Sequence, residues 1–328
     1  KFFNSALGVW CGLLYATMPS VFISSGFIST DTIFITCWLV ALIFCVKALE
    51  SQSMLYWFLT GIAAGLGMLS KYSMLIFLLS VIVFLVVTKN THIFKRKGFW
   101  LALITAGIVF LPNVLWNIDN GMPSFDHHVD LAKGRDDQSF SYKGLLQFLA
   151  AQFGMFGPLM FGYLCYMLYK KQWGEERFKM LWSFCLTFLA IITFISFVSR
   201  AHGNWAAPAY VTATLLVVYH AIIKDKSWVL KYSFILHFFV GTALMSYPLV
   251  VAKLDVPLTK KTDLLRRLRG AKEIGAQLGE LSKQYPDAVF AADDRKSYAT
   301  LVYYSQPHEF SLVKWNPGGA AKDHFALT

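Results

Sequence analysis

The feature of this 328-residue chain that most limits its fold is a series of long stretches without Asp, Glu, Lys or Arg. Nine stretches reach 15 residues or more, and only helices or closed barrels satisfy the backbone inside a bilayer. A helix of about 20 apolar residues crosses the hydrocarbon, and these stretches do not alternate in polarity. We therefore predict an α-helical membrane protein with about nine transmembrane helices rather than a barrel. The stretches are 5–30, 32–46, 51–70, 72–88, 98–118, 144–169, 180–199, 201–223 and 232–252.

The amino-acid composition excludes a pair of soluble domains. Hydrophobic residues make up 56% of the chain and charged residues 15%, whereas a soluble globular protein has about 25% charged residues. Buried core helices of a large soluble protein would not account for nine such stretches in succession. The weakest stretch is 32–46, which must include Asp31 or Lys47 to reach the length of a span.

The net charge of +11 is mostly a signal of membrane orientation. If the first helix starts in the cytoplasm, the cytoplasmic segments carry thirteen Lys and Arg residues and the outer loops of the membrane region carry five. Short cytoplasmic loops are enriched in Lys and Arg, which favours this orientation. The basic and aromatic pattern of nucleic-acid readers is missing, so we expect no nucleic-acid partner.

The five cysteines lie within predicted spans and lack both metal-ligand spacing and a disulfide framework, so we interpret them as small packing residues. The chain starts with Lys1 directly before an apolar stretch. From this start we expect that an N-terminal part is missing from the sequence.

The tail of the chain has a different character, so we predict a membrane region at 1–252 and a soluble α/β domain at 253–328. Leucine and isoleucine recur at helical spacing within 262–284. The stretch 287–292 is typical of a buried strand, 294–305 of a helix and 309–315 of a second strand, which together predict a small βαβ unit outside the membrane.

Two charged residues in the predicted outer turns are candidates for chemistry. Asp31 opens the second apolar helix and is interpreted either as a helix cap or as an acid that binds a metal or a substrate hydroxyl at the membrane surface. Lys71, beside Tyr72, separates two apolar runs without a Gly, Pro or Asn turn signal. It is either a snorkelling interfacial lysine or a cation that neutralises a phosphate at headgroup level.

Two outer segments concentrate polar and aromatic side chains. Amides suit sugar hydroxyls and indole rings stack on sugar rings, although an ordinary turn also explains the asparagines. Adjacent histidines near Asp126 and Asp130 are an alternative metal site, weakened because neighbouring histidines chelate poorly from one helix face. In the second segment, an arginine suits bidentate contact with phosphate. The alternative is an interfacial aromatic belt that happens to include a single arginine. The residues are Asn113, Trp116, Asn117, Asn120, His127 and His128 in 112–130, and Arg200, His202, Asn204 and Trp205 in 199–210.

Several motifs together resemble bacterial glycosyltransferase family 39 and its relatives, the superfamily of protein O-mannosyltransferases and lipid A aminoarabinose transferases. The resemblance runs over nearly the whole chain, and the order of the motifs is more specific than any single motif. The motifs are PNVLWNIDNGMPSF at 112–125, LSKY at 69–72, GPLMF at 157–161, NWAAPAY at 204–210 and PLTKKTDLLRRLRG at 257–270.

The resemblance implies a GT-C fold with a site at the extracytoplasmic surface of the bacterial inner membrane. It implies a sugar donor carried on polyprenyl phosphate and a lipid, glycan or protein acceptor. The family's catalytic acid normally lies in an outer loop between its first two helices, and we expect that loop in the N-terminal part that is missing from this sequence. Asp31 matches the family's second acidic position and cannot simply replace the first.

This comparison gives the candidate site. A general base must take the proton of the acceptor hydroxyl, and cations must stabilise the leaving phosphate. Lys71 and Arg200, with His202 nearby, are the predicted phosphate-binding cations, and Asp31 is the catalytic candidate that positions the acceptor or a divalent cation. No cofactor beyond that cation is expected. The alternatives are a transporter or flippase of lipid-linked sugars and a non-catalytic membrane subunit.

Overall fold

The computed structural model describes most of the chain, in two compact units. One unit comprises Lys1–Asp119 with His128–Met245, and the other comprises Asn120–His127 with Ser246–Thr328. The boundary that the sequence predicts at residue 252 stays a prediction. The described residues are 5–124, 140–199, 201–254, 257–259, 262–263, 269–306, 310–317 and 325.

All nine apolar stretches contain helices in the described part of the chain. Short 3-10 helices at Tyr72–Met74, Thr91–Lys95 and Gly203–Ala206 join some of them. The α-helices are α1 Ser5–Thr17, α2 Pro19–Ser24, α3 Thr30–Ser51, α4 Met54–Ser70, α5 Leu75–Val87, α6 Lys97–Asp119, α7 Tyr142–Met155, α8 Pro158–Tyr169, α9 Glu176–Val198, α10 Ala207–Ile223 and α11 Ser227–Lys253.

Fewer than nine of these helices are long and apolar enough to cross a membrane unaided. Within the described residues five pass by length and composition, and a bent pair makes up to six. The count of nine spans therefore stays a prediction. The stretch 32–46 does extend over its charged neighbours, because α3 takes in both Asp31 and Lys47 and reaches a mean hydropathy of 2.3. The five are Thr30–Ser51, Lys97–Asp119, Glu176–Val198, Gly203–Ile223 and Ser227–Lys253.

The stretch 144–169 is not one straight span. Its two helices, α7 and α8, meet at an angle of 116°. Gly157 adopts a φ of +88°, which favours glycine, and Pro158 has no amide hydrogen to continue a helical hydrogen-bond ladder. The Gly-Pro pair therefore ends one helix and starts the next.

Helices α4 and α6 pack closely through two glycines of α4, four residues apart. A Cβ atom on Gly61 would lie 2.5 Å from the carbonyl oxygen of Ala102, and one on Gly65 would lie 2.6 Å from Cβ of Val109. Small residues at this spacing let membrane helices approach closely. This contact brings the end of α4 beside the last turns of α6, where candidate site residues lie.

An aromatic cluster joins α3, α5 and α9 in the core. Trp38 is fully buried, and its ring centroid lies 5.2 Å from that of Phe77, 6.0 Å from that of Phe184 and 5.2 Å from that of Phe188. All three are edge contacts, the favoured geometry for aromatic pairs. The cluster fixes the start of α3 relative to its neighbours.

The second unit contains a βαβ element, as the sequence predicts. The two strands pair in parallel, with Val289 opposite Ser311. The helix predicted over 262–284 begins only at Ala271, and Leu264, Leu265 and Leu268 lie outside the described residues. The elements are α12 Ala271–Gln284, β1 Val289–Ala292, α13 Arg295–Tyr304 and β2 Ser311–Lys314.

Candidate functional site

The centre of the site is an ion pair between the ends of two helices. Asp31 lies in the first turn of α3, where the N-cap residue is Ser29, so the alternative that Asp31 caps the helix is wrong. Its Oδ1 accepts a hydrogen bond of 2.6 Å from Nζ of Lys71. The two side chains are 24% and 27% exposed. The pair is therefore partly shielded from solvent and still open to a ligand.

Lys71 reaches Asp31 because α4 ends one residue earlier. Lys71 has an extended backbone conformation, and the chain then enters the 3-10 helix. The hydroxyl of Ser70 donates a 2.8 Å hydrogen bond to the carbonyl oxygen of Thr30, which ties the two helix ends together. The Lys71 ammonium also lies 5.8 Å from the ring centroid of Phe34. Phe34 was missed by the sequence analysis, although its spacing of three from Asp31 places it on the same side of α3.

Asn204 holds the second oxygen of the Asp31 carboxylate. Its Nδ2 donates to Oδ2 of Asp31 at 3.1 Å. This bond brings the turn before α10 to the ion pair, and the outer placement of both stays a prediction. In the same turn the rings of His202 and Trp205 lie 5.7 Å apart, edge to face, and Trp205 packs against the hydrophobic core.

A second polar group links the turn after α4 to the end of α6. Tyr72 Oη donates to Oδ1 of Asn113 at 2.6 Å. Nδ2 of Asn117 lies 2.9 Å from the carbonyl oxygen of Asn113 and 3.2 Å from its Oδ1. The alternative that an ordinary turn accounts for Asn113 and Asn117 is wrong, because α6 continues through Asp119, as the apolar stretch 98–118 predicts. Asn113 and Asn117 are therefore one helical turn apart.

Asn117 is fully buried in this structure. Its amide bonds to Asn113, the partner of Tyr72, and its direct contact with a sugar stays a prediction. Trp116, by contrast, is 44% exposed, as a sugar-stacking ring would need.

The roles of the remaining predicted residues stay predictions. Asn120 belongs to the second unit. His127, His128 and Arg200, together with Asp126 and Asp130, lie outside the described residues, so the pairing of Lys71 with Arg200 stays a prediction. Among the described residues, no three or more His, Cys, Asp or Glu side chains could jointly hold a metal ion. The divalent cation also stays a prediction.

Comparisons with known proteins bear on the activity. Residues 1–116 match the family model described as dolichyl-phosphate-mannose-protein mannosyltransferase. The chain is 27% identical over 328 residues to the lipid A galacturonosyltransferase RgtD of Rhizobium johnstonii, an alignment that covers 99% of this chain and 68% of that protein. No solved structure matches the chain.

Both matches are to glycosyltransferases, which confirms the resemblance predicted from the motifs. The matched segment 1–116 contains Asp31, Lys71 and Asn113, and hence most of the polar cluster. Together with the apolar helices, these matches support glycosyl transfer by a multi-pass membrane protein.

Proposed function

We propose that the chain is a membrane glycosyltransferase that moves a sugar from a polyprenyl-phosphate donor to an acceptor at the extracytoplasmic face. The observation that supports this most is the pair of Lys71 and Asp31, partly shielded at the ends of two helices and fixed by Asn204. The site then faces outward from a bacterial inner membrane, with the start of α1 towards the cytoplasm.

Lys71 is the proposed stabiliser of the leaving phosphate. When the acceptor oxygen attacks the anomeric carbon, the bond to the phosphate oxygen breaks and negative charge develops there. A fixed cation in a shielded site lowers the energy of that state. An ammonium has three N–H donors, and Asp31 accepts one of them. The others are directed by that bond and can meet phosphate oxygens.

Asp31 is the proposed carboxylate that organises the site. Its two oxygens bond to Lys71 and Asn204, and each carboxylate oxygen has a further lone pair. We assign it the positioning of Lys71 and, through those lone pairs, of an acceptor hydroxyl or a divalent cation. The acceptor proton must go to a general base, which the family resemblance assigns to another acidic residue.

The sugar is proposed to lie against the end of α6. Trp116 presents an exposed indole there, three residues along α6 from Asn113, whose side-chain oxygen accepts a hydrogen bond from Tyr72. Amide and phenol groups of this kind suit sugar hydroxyls. Since the curated relative is named for lipid A and galacturonic acid, a lipid-anchored glycan acceptor and a hexuronic acid donor are the first pair to test.

The test is transfer by the purified full-length protein, including the N-terminal part expected before Lys1, in liposomes that contain a labelled polyprenyl-phosphate sugar and lipid A. We expect a product heavier by one sugar in mass spectrometry, and its loss in Lys71→Ala. The matched control is Lys143→Ala, which removes the same charge from the exposed side of α7. Normal transfer by Lys71→Ala would contradict the assignment of the phosphate site.

The transporter alternative gains one observation from the structure. Interrupted helices are typical of transporters, and α7 and α8 meet at 116°. In the same liposomes, movement of the intact labelled donor across the bilayer without any sugar product would favour transport. Neither transfer nor movement with any donor and acceptor pair would favour a non-catalytic subunit.

A further inference from the structure

The second unit has a helix whose most apolar side is largely exposed. Ile274, Leu278 and Leu281 of α12 follow the spacing of one helix side, Tyr285 directly after the helix continues that spacing, and Leu278 is half-buried. Ile274 is 54% exposed, Leu281 42% and Tyr285 57%. In a unit expected to be soluble, an apolar stripe of this kind marks a contact surface.

The helix is packed into its unit through a different side. Gly275 lies so close to α13 that a Cβ atom would meet Cβ of Tyr304 at 2.5 Å, and Ser282 is buried. The third side carries Lys272, Glu273, Glu280 and Lys283, among which Lys283 and Glu280 form a 2.8 Å ion pair. The apolar stripe is therefore left over after the unit has folded.

Two contacts hold the start of α12 near the end of α11. The hydroxyl of Tyr247, six residues before the end of α11, donates a 2.9 Å hydrogen bond to the carbonyl oxygen of Thr262. The next residue, Asp263, forms a 2.9 Å ion pair with Arg269, two residues before α12 begins. Because α11 is long and apolar enough to cross a membrane, these contacts keep α12 within reach of the bilayer surface.

We propose that α12 lies on the bilayer that α11 enters, with the stripe of Ile274, Leu278, Leu281 and Tyr285 in the interface. The exposed apolar side chains Leu249, Val250 and Leu254 at the end of α11 are suited to the same lipid environment. An interfacial helix needs a polar side away from the lipid, which the charged side of α12 supplies. This surface contact is separate from the transfer reaction.

The charges of α12 predict what kind of contact this is. The helix has two Lys and two Glu residues, so its net charge is zero. Electrostatic attraction to anionic lipid would need a surplus of basic residues. The helix itself should therefore bind through apolar burial, and a dependence on anionic lipid would come from the basic residues in 260–269 before it.

Spin labels on the full chain in phosphatidylcholine nanodiscs test the proposal. We expect labels at Ile274→Cys and Leu281→Cys to collide several-fold more often with oxygen than with a water-soluble nickel complex. A label at Ala276→Cys, exposed on the charged side of the same helix, should show the reverse. The unmutated chain, treated identically, gives the background from the five native cysteines.

Two outcomes would overturn the proposal. Nickel access at residues 274 and 281 equal to that at 276 would place the stripe in water, and protection from both reagents would place it against protein. A matched pair of variants adds a second measurement. Leu281→Asp should speed amide exchange over 271–284 several-fold in nanodiscs, whereas Ala276→Asp should not. Because phosphatidylcholine nanodiscs contain no anionic lipid, oxygen access in them already shows contact through apolar burial. Oxygen access that arises only after phosphatidylglycerol is added would show an electrostatic contact and overturn the proposal.

Discussion

The two units differ in which side chains have a polarity that does not match their surroundings. In the helical unit, apolar side chains such as Ile33 and Phe194 are about 60% exposed, as lipid-facing residues should be, and the unusual feature is the shielded polar pair of Asp31 and Lys71. In the second unit, exposed charges are ordinary, and the unusual feature is the exposed stripe of α12. A residue is therefore a candidate for function where the polarity of its side chain does not match the lipid or water around it.

The largest effect is expected where the shielded charge is removed. Lys71→Ala should lower the transfer rate by about 10²- to 10³-fold, the cost of losing one fixed donor to a developing anion. Adding Asp31→Ala to that variant should cost less than Asp31→Ala costs in the unmutated chain, because one of the two roles of Asp31 is to position Lys71. Rates of the two single variants and the double variant, measured in liposomes, give this coupling. Additive losses would show that Asp31 acts independently of Lys71.

A smaller effect is expected where helices meet by backbone contact. Gly61→Ala should destabilise the helical unit by about 1–3 kcal/mol, because overpacking forces the backbone apart and the new Cβ would lie 2.5 Å from the Ala102 carbonyl oxygen. Gly107→Ala is the matched control in α6, since nothing lies within 4 Å of its Cβ position. Unfolding in mixed detergent measures both. Equal stabilities would mean that α4 and α6 tolerate separation.

These contacts show how far the sequence leads. Uncharged length was enough to predict each helical stretch, since hydrocarbon imposes the same demand on every span. Uncharged length did not predict the break at Gly157, because the length of an apolar stretch is the same for a straight helix and for a bent pair of helices. The Gly-Pro pair was the local signal for that break.

The sequence predicted which residues belong to the candidate site but not which of them contact each other. Asp31, Lys71 and Asn204 were each selected as polar residues in outer turns, and the structure joins all three. The partners of Asp31 lie 40 and 173 positions away, so only packing of the helices brings them together. The sequence also did not predict that Asn117 is buried, because a polar residue near the end of a helix is ordinarily expected to be exposed.

Loss of a single neutral hydrogen bond in the site should cost less than loss of the glycine contact. Tyr72→Phe removes the donor to Asn113 and should destabilise the unit by roughly 0.5–1.5 kcal/mol. Tyr169→Phe, at a ring that is 78% exposed, should change little. The same unfolding assay compares them. An effect of Tyr72→Phe no larger than that of Tyr169→Phe would mean that this pair matters for substrate alone.

The smallest effect is expected at an ordinary charge of the second unit. Asp294 is the N-cap of α13 and accepts hydrogen bonds from the backbone N–H groups of Lys296 and Ser297. Hydrogen bonds from Ser297 lower the pKa of the Asp294 carboxyl below its ordinary value, and the bond from the Ser297 side chain has a larger effect than the one from its backbone. The cap should thus stabilise α13 fully above the ordinary pKa of aspartate and lose this effect as the pH falls through the lowered value.

Amide exchange in the first turn of α13, corrected for intrinsic rates, measures this cap. Asp294→Ala should reduce protection a few-fold at neutral pH and remove the pH dependence. Asp294→Asn should keep most of the protection, because asparagine also caps helices, while losing the pH dependence through its lack of a titrating group. A large loss of protection in Asp294→Ala would contradict the conclusion that exposed charges are ordinary in the second unit. It would show that an exposed charge in the second unit matters as much as a shielded one in the first.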